Sequence, residues 1–260
     1  MARAHFRFYA ELNEFLPPGR RQSEFICAFR GRQSVKHLIE SLGVPHTEVE
    51  MVLLNGEPCG FSAVPQDGDR VSVYPVFESF DVSPVTLVRA LPLRQTRFIA
   101  DSHLGRLAAY LRMAGFDALY RNDYGDAELA ETSAAERRIL LTRDRRLLMH
   151  SAITHGYFVR EAAPRRQLIE VLRRFDLARS LSPFTRCLRC NAGLKRISRE
   201  EAGEAVPPRS RAHATRFRRC TECGRVYWDG SHYRRMRRLV EEVLATLRGG
   251  EGGGESYGVF

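Results

Sequence analysis

Arg97-Phe98-Ile99-Ala100-Asp101-Ser102-His103-Leu104-Gly105-Arg106-Leu107-Ala108-Ala109-Tyr110-Leu111-Arg112-Met113-Ala114-Gly115 reads as one strand running into one helix. Residues 97–100 read as a short strand, with Phe98, Ile99 and Ala100 an apolar run of the kind buried in a parallel sheet. Leu104, Leu107, Ala108 and Leu111 then recur at helical spacing, and Gly115 supplies the stop. The alternation continues toward the C-terminus. The pattern predicts a strand over 116–120, a helix over 126–136 with Asp126 at its start, and a buried strand over 138–142 built on Ile139, Leu140 and Leu141. A helix over 145–151, a strand over 157–159 and a helix over 167–175 follow, the last with Leu168, Val171 and Leu172 on one side. Strands alternating with helices imply an α/β fold, with a mostly parallel sheet covered by helices.

Working outward to the N-terminus, residues 1–81 read as a separate small domain. Phe6 and Phe8 share one face of an extended run, and Phe25, Cys27 and Phe29 repeat that pattern. Ser34 is placed to cap a helix carrying Val35, Leu38, Ile39 and Leu42, ended by Gly43. Two further strands surround the turns Asn55-Gly56 and Asp67-Gly68-Asp69. Strand, strand, helix, strand, strand is the order of a β-grasp fold. The run Leu54-Asn55-Gly56, with Asp67-Gly68-Asp69-Arg70-Val71 after it, resembles the ubiquitin-like sulfur carriers. Those end in Gly-Gly, whereas here Pro75 and Phe77 occupy that region and the chain continues. The resemblance therefore implies the fold and a docking role, without the carrier chemistry. Residues 82–95, with Pro84 and Pro92, read as a linker, and 248–260 as a flexible glycine-rich tail.

Positive charge is concentrated. Residues 1–95 hold 10 Lys and Arg against 11 Asp and Glu, but 183–238 hold 15 against 5, equal to the whole-chain net charge of +10. A local basic excess is the footprint of a phosphate-backbone binder. Arginine dominates throughout, since Lys36 and Lys195 are the two lysines. Such a bias accounts for arginine over lysine, though not for the scarcity of acids in one segment. No apolar run approaches the roughly 20 residues of a membrane span. The first ten residues lack the charged start and apolar block of a secretory signal, which sets an expectation of a cytoplasmic protein. Six cysteines there are not a disulfide framework. Cys27 and Cys59 stand alone and read as small buried hydrophobes.

The other four fall as Cys187-Leu188-Arg189-Cys190 and Cys220-Thr221-Glu222-Cys223, separated by 29 residues. Two C-x-x-C knuckles bring four thiolates to one tetrahedral zinc. Asn191 and Gly224 suit the tight turns that follow each pair. Four cysteine ligands leave no open position, so the zinc is expected to be structural. Residues 183–233 otherwise show little regular structure, and a helix is expected over 233–247.

Acids sit where an α/β sheet places an active site. Asp101 and Asp144 each follow a strand directly, and Asp126 opens a helix. Strand ends in such sheets border one crevice. Carboxylates gathered there need a cation, which points to Mg²⁺ or Mn²⁺ and to phosphodiester chemistry. Each acid has a plainer alternative, since all three could cap the helix that follows. His103 has a helix-start role as its plainer reading, and Asp123 that of a turn residue.

Three runs carry a family resemblance: Phe98-Ile99-Ala100-Asp101-Ser102-His103-Leu104-Gly105-Arg106-Leu107, Leu111-Arg112-Met113-Ala114-Gly115-Phe116-Asp117 and Ile139-Leu140-Leu141-Thr142-Arg143-Asp144-Arg145-Arg146-Leu147. They resemble the PIN-like ribonuclease family named after the C-terminal domain of the mut-seven exonuclease. Phe184-Thr185-Arg186-Cys187-Leu188-Arg189-Cys190-Asn191 and Cys223-Gly224-Arg225-Val226-Tyr227-Trp228-Asp229-Gly230-Ser231-His232 are similar to that family's zinc portion. The β-grasp domain resembles one that accompanies this ribonuclease in bacteria. The resemblance implies a PIN-like nuclease domain at 96–180 and a zinc-ribbon module with terminal helix at 181–247. It implies divalent-metal-dependent cleavage of RNA with Asp101, Asp126 and Asp144 as catalytic ligands; a fourth acid would be Asp123 or Glu128. Arg143 and Arg145 flank Asp144 and are candidate phosphate contacts, while Arg216, Arg218, Arg219, Arg234 and Arg235 are candidates for the RNA backbone. Tyr227, Trp228 and His232 either stack on bases or form the ribbon's core, and Trp228 fits the core better. A protein partner is expected at the β-grasp domain. The alternatives are a catalytically inactive RNA-binding or ribosome-associated adaptor, and a sulfur-carrier partner in tRNA modification.

Overall fold

The computed structural model of the chain describes residues 1–75, 86–88 and 95–249. The expected linker lies outside these apart from 86–88 and Gln95, and the expected tail apart from its first two residues. No helix among the described residues is long and apolar enough to cross a membrane.

The first 75 residues form β1 (Ala2–Phe8), β2 (Phe25–Phe29), α1 (Val35–Ser41), β3 (Val49–Leu54), β4 (Glu57–Pro58) and β5 (Arg70–Pro75). The sheet runs β2-β1-β5-β3-β4, with β1 and β5 parallel at its centre and the other pairs antiparallel. Ala4, Phe6 and Phe8 point inward along β1 and meet Val35, Leu38 and Ile39 of α1. Ser34 caps α1 by accepting from the His37 N–H at 3.2 Å. Asn55 and Gly56 adopt φ of 52° and 91°, the paired positive angles of a two-residue hairpin. The Asn55 side chain then joins this turn to the next, donating to Asp69 at 2.8 Å and accepting from the Arg70 N–H at 2.9 Å. Cys27 and Cys59 are half-buried against this core, and burial pushes both thiols up.

Next come β6 (Arg97–Ala100), α2 (Gly105–Ala114), β7 (Asp117–Leu119), α3 (Asp126–Glu136), β8 (Ile139–Thr142), α4 (Arg145–Leu148), β9 (Gly156–Phe158) and α5 (Pro164–Arg174). β6 pairs in parallel with β7, and β8 in parallel with β9. All four residues of β8 are buried, as a parallel strand covered on both faces requires. α4 is a single turn, shorter than expected, because the N–H groups of Met149 and His150 fold back onto Arg146 and Leu147.

The cysteine region departs most from expectation. It is regular: β10 (Leu194–Ile197), α6 (Arg199–Ala202), α7 (Pro208–His213), β11 (Phe217–Cys220) and β12 (Val226–Trp228), before α8 (Ser231–Gly249). The three strands make an antiparallel sheet, with α6 and α7 inserted between β10 and β11. Ala202, Val206, Ala214, Phe217 and Val226 form its core, with Trp228 packed against it.

The chain divides into two compact units, Met1–Gln95 with Gly125–Phe158, and Thr96–Tyr124 with Val159–Phe260. In the first, the β-grasp domain is bonded to the β9 region. Glu48 accepts from the Phe158 N–H at 2.7 Å, and His46 Nε2 lies 2.9 Å from the Ile153 carbonyl. In the second, α5 meets α8 through an Arg165–Glu242 ion pair of 2.8 Å. There the end of α2 is capped from afar, since the N–H groups of Ser182 and Phe184 donate to the carbonyls of Ala114 and Met113 at 3.0 and 2.9 Å. Gly115 sits at φ 101°, and a Cβ there would lie 2.2 Å from the Ser182 carbonyl oxygen. Gly193 has open space and no positive φ. Gly115→Ala should therefore cost about 2–4 kcal/mol, and Gly193→Ala less than about 0.5 kcal/mol. Urea unfolding of both variants checks this, and equal midpoints would refute it.

Candidate active site and metal centre

Asp101 follows β6 and is 5% exposed. Its Oδ1 accepts from the His103 N–H at 2.8 Å, and its carbonyl accepts from Leu104 at 3.0 Å, so it caps the 3-10 turn over Ser102–Leu104. His103 Nδ1 stands 3.7 Å from the same oxygen, with its ring in solvent. The turn is braced from outside. Tyr120 donates its hydroxyl to the Ser102 carbonyl at 3.1 Å, and its ring lies where a Cβ on Gly105 would be, at 2.6 Å.

Asp144 is built the same way. Its N–H donates to Thr142 Oγ1 at 2.9 Å, and its Oδ1 accepts from the Arg146 N–H at 2.7 Å, capping α4. The Thr-x-Asp spacing thus has a local cause: the buried hydroxyl fixes the backbone, which aims an exposed carboxylate just past the strand. Capping and ligation are not exclusive, because a cap engages one carboxylate oxygen. Asp126 differs. Gly125 occupies the cap position of α3, and Asp126 is an exposed first-turn residue, so its capping alternative fails. Asp123 is gripped by Arg121 through two bonds of 3.0 Å, which hold its carboxyl below the usual range. Glu128 is half-buried in the first turn of α3. Asp101 belongs to the second compact unit, and Asp126 and Asp144 to the first.

The four cysteines converge. Their sulfurs all lie within 4.8 Å of one another, with Cys187–Cys223 at 3.7 Å and Cys190–Cys220 at 3.3 Å. Zinc–sulfur bonds of about 2.3 Å place tetrahedral sulfurs roughly 3.8 Å apart, so this set fits a thiophilic ion. Asn191 and Gly224 close the two knuckles with φ of 72° and 71°. Burial opposes ionisation of Cys187, but the Tyr227 hydroxyl at 3.1 Å and the backbone N–H groups of Cys190 and Arg189 bring its pKa down to about 6. Burial pushes Cys220 up to about 12. One thiol is poised as thiolate, and another resists charging without a cation beside it. Tyr227 was legible in the sequence as an aromatic only. Its contact with a ligand sulfur comes from β12 folding back across the first knuckle.

Two residues fix that knuckle to the α/β elements; the sequence marked Asn191 for its turn alone and gave Arg112 no role of its own. Arg112, buried on α2, donates to the carbonyls of Ala118, Leu188 and Arg189 at 2.8, 3.1 and 2.9 Å. Asn191 donates to Asp117 at 2.7 Å and accepts from the Ala118 N–H at 3.0 Å.

The candidate RNA-binding arginines divide. Arg145 has its guanidinium 4.9 Å from the Phe15 ring and 5.5 Å from that of Phe158, and it donates to the Phe15 carbonyl at 3.2 Å. Arg218 donates to the Phe184 carbonyl at 2.8 Å, and Arg219 to that of Glu201. These three serve internal contacts. Arg143 and Arg145 are exposed, and so are Arg216, Arg234 and Arg235.

The family described as the Mut7-C RNAse domain matches residues 96–240. The family described as Mut7-C ubiquitin matches residues 1–81. No curated protein matches the chain. Among solved structures, the crystal structure of H. volcanii small archaeal modifier protein 1 is similar at 20% identity. It covers 30% of this chain and 100% of that one, with a TM-score of 0.24.

Asn191→Gly keeps the backbone turn but strands the buried Ala118 N–H, so it should cost about 2 kcal/mol. Asn191→Asp retains an acceptor for that N–H but sets it against Asp117, and should be no better. Denaturant titration of the two variants gives the answer, and stability equal to the parent would remove Asn191 from its anchoring role.

Proposed function

We propose a function that proceeds from one fact: the chain belongs to the Mut7-C RNAse family. The protein is a divalent-metal-dependent ribonuclease that hydrolyses RNA phosphodiester bonds, with a zinc-ribbon module that holds the RNA. The observation that carries this reading is the shared construction of Asp101 and Asp144. Each carboxylate is fixed immediately beyond a parallel strand by a local cap, the position at which open α/β sheets present catalytic groups. Asp126 is an exposed acid in the first turn of α3.

Asp101, Asp126 and Asp144 would hold Mg²⁺ or Mn²⁺, which when bound supplies positive charge to the oxygens of the scissile phosphate. The chain's own residues orient and bind. The Thr142 hydroxyl fixes the Asp144 backbone and Tyr120 braces the Asp101 turn, and exposed Arg143, next to Asp144 in the chain, would meet phosphate. Cys187, Cys190, Cys220 and Cys223 would hold one structural zinc with no open position. The β-grasp domain is a docking element for a protein partner.

End-labelled single-stranded RNA, incubated with Mn²⁺, Mg²⁺ or EDTA, tests the nuclease. Metal-dependent products should appear with the parent chain and fall to background in Asp101→Asn and in Asp144→Asn. Undiminished cleavage by Asp144→Asn would sink the assignment. Retained RNA binding with no products from the parent would favour the inactive adaptor. Atomic emission should separately find one zinc per chain, lost together with cooperative unfolding in Cys190→Ser/Cys223→Ser. Zinc content unchanged in that double variant would refute the ligand set.

A further inference from the structure

The second compact unit contains a groove of about 740 Å³ that the proposed cleavage chemistry does not use. Its volume falls in the range of about 300–1,000 Å³ typical of sites for small organic ligands. Four aromatic rings line it: Phe184, Tyr227, Trp228 and Tyr233. Phe184 is held in the left-handed region at φ 61°, sparsely populated for a bulky residue. Its N–H is bonded to the Met113 carbonyl, and its carbonyl to the Arg218 guanidinium. These bonds over-determine the backbone and set the Phe184 ring 4.7 Å from that of Tyr233, at 51°. Trp228 is partly buried and packs against the ribbon core. It lies so close to Gly230 that a Cβ there would meet its Nε1 at 2.8 Å.

The charge lining the groove is one-sided. Five arginines stand against one carboxylate, Asp229. Burial works against the Asp229 charge, but the Thr215 hydroxyl and N–H and the Arg216 N–H hold it ionised and occupy its oxygens. Arg186 and Arg218 are committed to internal carbonyls. Arg189, Arg216 and Arg225 make no hydrogen bond or ion pair through their guanidinium groups among the described residues. Aromatic faces beside uncommitted guanidinium groups complement a ligand with flat rings and phosphates. A base in a duplex has both faces stacked and cannot reach such rings, whereas an unpaired base can.

We propose that this groove takes a short unpaired stretch of RNA, stacking a base on the Tyr233–Phe184 wall and pairing its phosphates with Arg189, Arg216 and Arg225. The inference rests on RNA being the substrate of the proposed nuclease. It makes the ribbon a selector of single-stranded RNA rather than a diffuse cationic surface.

The test is fluorescence anisotropy with the full-length chain carrying Asp144→Asn, so that the probe is not cut. The probes are a short fluorescein-labelled single-stranded RNA and the same strand annealed to its complement. Adding Tyr233→Leu should weaken single-strand binding by about 5- to 100-fold. Arg189→Ala/Arg225→Ala should weaken it by about tenfold or more. Arg30→Ala/Arg32→Ala removes the same charge from exposed positions in the β-grasp domain, and should change binding by no more than about twofold. Thermal melts establish that each variant is folded. Tyr233→Leu binding as tightly as its parent overturns the groove, and so does equal affinity for the duplex. Cleavage by the unaltered chain is read apart from this. Binding as expected without cutting would sink the nuclease and leave the groove, and cutting with unweakened variants would sink the groove alone.

Discussion

A guanidinium buried in a helix, with three backbone carbonyls to satisfy it, is the constraint on which the second unit is built. Arg112 is 4% exposed. Burial lowers its pKa, while the sulfurs of Cys187 and Cys190 and the carboxylate of Asp117 favour its charged form. A buried cation without partners costs several kcal/mol, so the Ala118, Leu188 and Arg189 carbonyls have to be where they are. Two of them belong to the first cysteine knuckle. The thiolates need positive charge nearby and Arg112 needs acceptors, and one arrangement meets both needs. The run from Leu111 to Asp117 then makes sense residue by residue. Leu111 is core, Arg112 holds the knuckle, and Met113 and Ala114 offer their carbonyls to Phe184 and Ser182. Gly115 makes the turn under Ser182, Phe116 sets its ring edge-on to Phe98, and Asp117 receives Asn191. A four-cysteine cluster anchored this way is part of the second unit's own packing, not a pendant module.

The first unit is organised by a different economy of polar groups. Buried Glu48 satisfies the N–H of Phe158, and the Arg145 guanidinium lies over Phe15 and Phe158 while bonding to the Phe15 carbonyl. Phe15 in turn meets Phe158 edge-on at 5.4 Å. The short helical turn that holds His46 and Glu48 is therefore spent on contacts inside the unit. A partner docking on the β-grasp domain would have to use other surface, such as the edge strand β2 with its exposed Ile26.

Local signals were legible wherever one residue type had one job. Ser34, Asn55-Gly56, Gly115 and the helix from Asp126 to Glu136 all follow from caps, positive φ and periodicity. Asp101 and Asp144 were legible as acids after strands, and the structure gives each a cap in addition. The ribbon was harder. β10 reads Leu-Lys-Arg-Ile and β11 Phe-Arg-Arg-Cys, so the apolar alternation that signals a strand is overwritten by arginines. Those strands exist because three of them share a small core and one cluster of cysteines, which no window of sequence contains. The anchoring roles of Arg112 and Asn191 were invisible for the same reason: the bonds that tie the knuckle to α2 and β7 join residues more than 70 positions apart.

The same point bears on the arginine excess. A chain-wide bias toward arginine accounts for arginine over lysine but not for the geometry of its use. Arg112 spans three carbonyls, Arg186 joins a carbonyl to Asp117, and Arg199 and Arg218 each bond a carbonyl across a fold element. A planar fork with several fixed donors can do this, and a single ammonium group cannot. Part of the +10 on residues 183–238 is thus internal wiring, and net charge overstates how much of it faces a ligand. In the ribbon, the cations that would meet RNA under the proposal are those the fold leaves unspent. Arg189, Arg216 and Arg225 are of this kind, and all three border the aromatic groove. The groove, not the total charge, is where the ribbon's chemistry becomes selective.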